Sequence, residues 1–192
     1  GKIWYGEVFN TQLEYDFPFF LEDIDLSEPV YLKFNLAGRS TTKTTFNISA
    51  DGDPVIELEV PSVILGSQIY ARPIVSNYEE IVANDENLNV KVTFDKPGTI
   101  DVAWMNYIEA NYIRHLRFDG GQLNFRDARP VGPENVARDH IQTSNPAIRV
   151  WDVSDPKHII QEMISQEAGG VHFQVFAGEL QEFIAFDGNS YK

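Results

Sequence analysis

Four stretches of this chain alternate apolar and polar residues, and that alternation narrows the fold more than anything else in the sequence. Val30, Leu32, Phe34 and Leu36 are interleaved with Tyr31, Lys33 and Asn35, and Phe46, Ile48 and Ala50 with Asn47 and Ser49. Ile56, Leu58 and Val60 are interleaved with Glu57 and Glu59, and Leu88, Val90, Val92 and Phe94 with Asn89, Lys91 and Thr93. Successive side chains of a strand point to opposite faces, so each stretch reads as a strand with one buried and one wet face, as in antiparallel sheets.

The punctuation agrees. Asp51-Gly52-Asp53-Pro54 and Lys96-Pro97-Gly98 each read as hairpin turns, the second with Pro-Gly at the centre of a type II turn. Asp119-Gly120-Gly121 separates a strand ending near Phe118 from Gln122–Arg126. The longest strand candidate runs from Thr99 to Phe118, with Ile100, Val102 and Trp104 on one face and Met105, Tyr107 and Ile113 on the other. Asn106 interrupts the apolar face and predicts a bulge. Residues 127–147 contain Pro130, Pro133 and Pro146 and predict an excursion with short strands at most. Ile148–Val153 reads as a strand. Ser154-Asp155-Pro156 either caps a short helix over Lys157–Met163 or, as favoured here, turns into another strand. Val171–Phe176 and Glu182–Phe186 are expected to close as a hairpin around Gly178.

With 192 residues, 43% hydrophobic and 12% aromatic, the chain can bury a core without disulfides. A formal net charge of −14 repels phosphate backbones and anionic lipid, so neither nucleic acid nor membrane is an expected partner. No apolar run approaches the roughly 20 residues that span a bilayer. Gly1, followed at once by strand-like sequence, and the end at Phe186–Lys192 read as cuts in a longer protein. The absence of cysteine excludes a thiol nucleophile and a Cys-based zinc site in this chain.

No residue emerges as catalytic. His115, His140, His158 and His172 share no ligand spacing, and a histidine metal site would need convergence from separate strands. Ser67 follows Gly66 but lies outside any GxSxG pattern. The acid clusters Asp51/Asp53, Glu22/Asp23/Asp25 and Asp85/Glu86 match no EF-hand loop. They read as solvated turn acids, with a structural calcium the only cofactor left open. Trp4, Tyr5, Tyr70, Tyr78, Trp104, Tyr107, Tyr112 and Trp151 could form a sugar-stacking platform, but most lie in alternating strands, where core packing is the ordinary role. Arg114-His115-Leu116-Arg117 is the local basic patch of an acidic chain. Arg114, His115 and Arg117 are therefore the candidate partner-binding residues, against a plainer reading in which they pair with surface acids.

The run Ala103–Leu116, AWMNYIEANYIRHL, resembles a W-[LM]-D-Y-I-E-x-N-Y-x-R-x-L stretch found ahead of the catalytic domain in PorU-like, gingipain-type cysteine peptidases of the Bacteroidetes type IX secretion system. Asn124-Phe125-Arg126-Asp127, Val150-Trp151-Asp152-Val153-Ser154-Asp155-Pro156 and Glu182-Phe183-Ile184-Ala185-Phe186-Asp187 resemble further segments of that region in the same order, and Trp4-Tyr5-Gly6 also fits. Asn106 stands where the stretch carries Asp, and His115 where it carries Arg or Pro. The family's catalytic Cys and His lie in a following domain, so no catalytic residue carries over. The resemblance implies an exported protein of the cell surface, outer membrane or periplasm, whose parent trims sorting signals from secreted cargo and joins the cargo to a surface anchor.

The expected fold is all-β: an antiparallel two-sheet sandwich, with a jelly-roll over 1–118 (the galactose-binding-like form left open) and a smaller β region over 119–192. The expected role is a non-catalytic accessory module whose partners are its own C-terminal peptidase domain, secretion-system proteins or cargo. The alternative is a carbohydrate-binding module.

Overall fold

The alternating stretches become strands where the pattern puts them. The structure, a computed structural model, describes residues 4–188. The readings of Gly1 and of the tail beyond Gly188 lie outside the described residues. Two compact units follow along the chain, Gly1–Arg114 and His115–Lys192.

The first unit contains β1 (Val8–Phe9), β2 (Glu14–Phe20), β3 (Val30–Arg39), β4 (Thr44–Ala50), β5 (Asp53–Val60), β6 (Arg72–Val75), β7 (Glu79–Ile81), β8 (Asn87–Asp95) and β9 (Val102–Asn111). One sheet has the order β1-β9-β3-β6, with β7 also on β3; the other has the order β2-β8-β4-β5. Every pairing is antiparallel. The chain changes sheet at most connections, the wrapping of a jelly-roll sandwich. The apolar halves of the alternating stretches meet between the sheets, where Phe9, Phe34, Phe46 and Phe94 are at most 1% exposed. Phe9 and Phe46 pack edge to face, 5.6 Å apart at 79°. Burying each such side chain stabilises by about 1.5–3 kcal/mol.

Asp51 and Gly52 join β4 to β5 with φ of 50° and 94°. Positive φ at both centres suits the twist of a two-residue hairpin, and glycine takes it without steric cost. The Asn89 amide donates to Asp51 Oδ1 at 2.8 Å, tying the turn to β8.

Lys96-Pro97-Gly98 is not a hairpin. β8 and β9 lie in different sheets, and Gly98 lacks the positive φ of a type II turn. The segment arches between sheets around Asp101, only 2% exposed, whose Oδ2 accepts the Gly98 N–H at 2.7 Å. β9 is also shorter than the Thr99–Phe118 run, and Ile100 is exposed.

The bulge stands at Asn106. Leu36 pairs with Met105 and Asn35 with Tyr107, leaving Asn106 as the extra residue. The insertion shifts the period by one. Ala103 and Met105 point inward before it, Ile108 and Ala110 pack on the core after it, and Tyr107 turns outward. Met105 and Tyr107 therefore do not share a face.

The second unit contains β10 (Gln122–Phe125), β11 (Val136–Gln142), β12 (Arg149–Asp152), β13 (Ile160–Gln161), β14 (Ser165–Glu167), β15 (Gly170–Phe176) and β16 (Phe183–Phe186). Its sheets are β10-β16-β12-β13 and β11-β15-β14. Phe118, Ile141, Val150, Val171, Phe173 and Ala185 are among the residues of its core.

Two expectations are corrected here. The 127–147 region holds β11, seven residues paired along their whole length with β15; only Ala137 and Ile141 turn apolar side chains inward, too few to show a strand period. β15 and β16 are not a hairpin, because they lie in different sheets. The favoured turn-and-strand reading at Ser154-Asp155-Pro156 holds. Asp155 Oδ1 accepts the Lys157 amide at 2.9 Å, and the chain then enters β13. The described residues contain no helix, and so none long and apolar enough to cross a membrane.

Candidate functional site

Three of the segments that carry the resemblance meet in one sheet of the second unit. Asn124 pairs with Ile184 and Phe125 with Phe183; Val150 pairs with Ala185, Trp151 with Ile184 and Asp152 with Phe183. The Phe125 and Phe183 rings stack 5.4 Å apart, and Trp151 meets Phe186 edge to face at 4.6 Å. Asp152 is 8% exposed. Its carboxylate accepts from the amide and hydroxyl of Ser154 and from Gln181 Nε2. Ser154 Oγ in turn accepts the Glu182 amide at 2.9 Å. These residues therefore lock one turn to the start of β16. Arg126 and Glu182 pair at 3.0 Å beside a shallow hollow of about 410 Å³ bordered by Asn124, Phe125, Val153 and Phe183. Among the described residues the hollow is lined by one carboxylate, Glu182, and by no serine, histidine or cysteine.

The basic patch is divided. Arg114 ends the first unit, bridged through its backbone to Ile24. Its guanidinium lies 3.2 Å from Glu22 and 3.6 Å from Asp23, so its charge is already met within the unit. His115 and Arg117 begin the second unit and are exposed, with Arg117 bridged through its backbone to Gln142.

The acid clusters organise turns. Asp25 accepts from Ser27, Asp85 from the Asn87 amide, and Glu86 from the Asp23 amide. The fold does bring two histidines together, which their spacing in sequence could not show. His140 and His172 are cross-strand partners, with Glu167 3.2 Å from His140 Nε2 and 3.1 Å from His172 Nδ1. Arg138 donates at 2.8 Å to Glu167 Oε2, the oxygen that faces His172, while His140 faces Oε1. A cation is thus already seated on that carboxylate, and among the described residues no group of three or more such side chains could hold a metal ion.

Asp127 and Asp139 border a small cavity of about 20 Å³. Burial works against ionisation of Asp127, but the hydrogen bonds and charge of Arg129 outweigh it and hold this carboxyl below its ordinary pKa. Asp139 has the opposite shift: burial, then the charge of Asp127, raises it. A carboxyl whose pKa rises on folding favours the folded state at low pH, and that contribution is lost as pH rises through the folded pKa. Asp139→Asn is therefore expected to raise the melting temperature at pH 7, with the gain shrinking as pH falls into the carboxylate range. Thermal melts of both proteins at pH 7 and pH 4 check it; an equal gain at both values would refute the assignment.

The outer face of the β1-β9-β3-β6 sheet differs from the core in composition. This face carries tyrosines and the half-buried Trp104 where the interior takes phenylalanine, so Tyr70, Tyr78 and Tyr107 depart from the expected core packing. Tyr31, Tyr70, Tyr78 and Tyr107 are all exposed. Trp104 lies between Tyr5 and Tyr70, at centroid distances of 6.3 and 6.0 Å. Cations stack on two of the rings: Arg39 over Tyr70 at 4.6 Å and Lys33 over Tyr78 at 4.9 Å. The hydroxyl of Tyr78 donates to Glu109 at 2.6 Å, and this bond raises the phenol's pKa. Of the eight aromatic candidates, Tyr112 packs on the first core and Trp151 is half-buried in the second unit.

Comparison with solved structures finds a match over nearly the whole of this chain. PorU from Porphyromonas gingivalis, in a dimeric latent form, superposes on 97% of this chain with a TM-score of 0.82 at 15% identity. The fold is PorU-like. This chain spans 19% of that PorU chain. The carbohydrate-binding module CBM36 in complex with calcium and xylotriose aligns over 51% of this chain and 72% of its own, with a TM-score of 0.36 at 7% identity. A Paenibacillus sp. cycloisomaltooligosaccharide glucanotransferase complexed with cycloisomaltoheptaose aligns over 90% of this chain and 40% of its own, with a TM-score of 0.35 at 10% identity. No family model and no curated protein matches the sequence.

Proposed function

We propose that this chain is a non-catalytic accessory module of an exported, gingipain-like cysteine peptidase of the type IX secretion system. Its role is to brace the catalytic domain or to dock substrate and secretion partners at the cell surface or periplasmic face. The observation that carries the reading is the sheet in which Asn124–Asp127, Val150–Pro156 and Glu182–Asp187 lie side by side: segments that resemble one family's pre-catalytic region form one packed surface and spend their polar groups on architecture. The PorU-like fold supports it. A chain without cysteine has no thiolate to offer, so peptidase chemistry belongs to the parent. Deleting this region from the full-length parent is expected to abolish sorting-signal cleavage or partner capture, read by the size of secreted cargo and by co-purification. Unchanged cleavage together with unchanged capture would end the proposal.

A second reading, glycan binding, is favoured by the aromatic outer face of the first unit. Exposed tyrosines beside a half-buried tryptophan are suited to contact with apolar sugar faces.

A further inference from the structure

We infer that the corner of this outer face formed by Tyr5, Arg39, Tyr70 and Trp104 is a subsite for a carboxylated sugar of the uronate type. The inference rests on the glycan-binding reading and specifies its location and ligand charge.

Trp104 stands on β9 opposite Val8 of β1 and Ala37 of β3. Ala37 belongs to the outer face yet is only 1% exposed, so a layer of side chains already covers the sheet there. The rings of Tyr5 and Tyr70 tilt from the Trp104 plane by 47° and 43°. Neither tyrosine ring is coplanar with Trp104, so the three rings do not make a flat strip. Non-coplanar rings fit a single pyranose of a soluble oligosaccharide better than the flat face of a crystalline polymer.

Charge selects the class of sugar. The chain carries −14 overall, yet Arg39, stacked on Tyr70, has no carboxylate within ion-pair distance among the described residues. A planar guanidinium fixed against a ring keeps its fork of donors for a bidentate carboxylate. The far end of the same face is the internal contrast. There Lys33 lies across from Glu109, and Tyr31 across from Asn111 and Glu80, so cation and aromatic already have acids beside them. An acidic peptide is the competing occupant. Strand addition, one common mode of peptide uptake, is closed to it here, because Trp104 sits on an inner strand flanked by β1 and β3.

The test is titration of the 192-residue chain by calorimetry and tryptophan fluorescence with hexagalacturonate, neutral xylohexaose and hexaglutamate. Saturable binding of hexagalacturonate is expected. It should weaken by about tenfold or more in Arg39→Gln and in Trp104→Ala, be about tenfold weaker for xylohexaose, and stay unchanged in Tyr31→Ala at the far end. Tyr70→Ala repeats the measurement should Trp104→Ala lose its fold. No binding of either sugar would overturn the glycan reading as well. Sugar binding that survives Arg39→Gln and Tyr70→Ala would overturn the site alone. Xylohexaose binding as tightly as the uronate would overturn the carboxylate assignment, and hexaglutamate binding as tightly would make the corner an acidic-peptide site.

Discussion

Gly170→Ala is expected to unfold much of the second unit's β11-β15-β14 sheet. Gly170 opens β15 and pairs with Gln142 on one side and Glu167 on the other. A Cβ there would lie 2.1 Å from the Ile141 carbonyl oxygen, 3.0 Å from its carbonyl carbon and 3.1 Å from the Gln142 Cα. All three are backbone atoms of β11, and no rotamer change can move them aside. β11 would have to shift away from β15, breaking ladder bonds beside Ile141, which is fully buried. Overpacking a core costs about 1–3 kcal/mol where side chains can adjust; with rigid backbone on the far side, about 3 kcal/mol or more is expected. Hydrogen exchange of the Val136–Gln142 amides, together with a thermal melt, measures it. Protected amides and an unshifted melt would show that the ladder accommodates a methyl group and that the close approach was overstated.

Phe34→Ala should be about as damaging in the first unit. Phe34 lies on β3, which is flanked by β9 and by β6 and β7, and it is 0% exposed. Its backbone is pinned to Ser76 on one side, its amide donating to Ser76 Oγ at 3.0 Å and its carbonyl accepting the Ser76 amide at 2.9 Å, and it stands opposite Ile108 of β9 on the other. Held in this way, the strand cannot collapse into the space that the ring leaves, so both lost transfer energy and a residual cavity count. Phe→Ala in such cores costs about 3–5 kcal/mol, a fall in melting temperature of more than about 10 °C for a unit of this size. Chemical denaturation gives the free energy directly. A loss under about 1 kcal/mol would mean that the two sheets close over the vacated volume, against the packing described for Phe9, Phe46 and Phe94.

These two sites mark where the sequence was legible. Phe34 belongs to a stretch whose alternation names its face unaided, as do Ile48, Leu58 and Val92. Asn106 revealed its bulge because a polar residue interrupted an apolar strand. β11 was illegible: Arg138, Asp139 and His140 give no period when only Ala137 and Ile141 turn inward. Gly178 and Lys96-Pro97-Gly98 misled for another reason. A turn signal says that the chain reverses, not which sheet it joins, and both segments cross between sheets. The aromatic face was misjudged on β9, where apolar residues stand on both sides and the pattern cannot say which is buried; there Trp104 and Tyr107 took the outer side, whereas on β3 Tyr31 was already legible as an outward position. Arg114 and Arg39 show the same limit for charge. The first stood out in a local cluster but is met by Glu22 and Asp23, whereas the second has no adjacent basic residue in sequence and, among the described residues, no acid within ion-pair distance.

β16 lies inside its sheet, between β10 and β12, although it follows both in the chain. On a ribosome or in a channel that delivers the chain from its N-terminus, β10 and β12 emerge first and have no ladder to form with each other. Their facing edges stay open until Phe183–Phe186 arrives to fill the slot. Assembly of this sheet is therefore gated by its last-made strand, and any chaperone that shields the chain in transit has its longest task at Gln122–Phe125 and Arg149–Asp152.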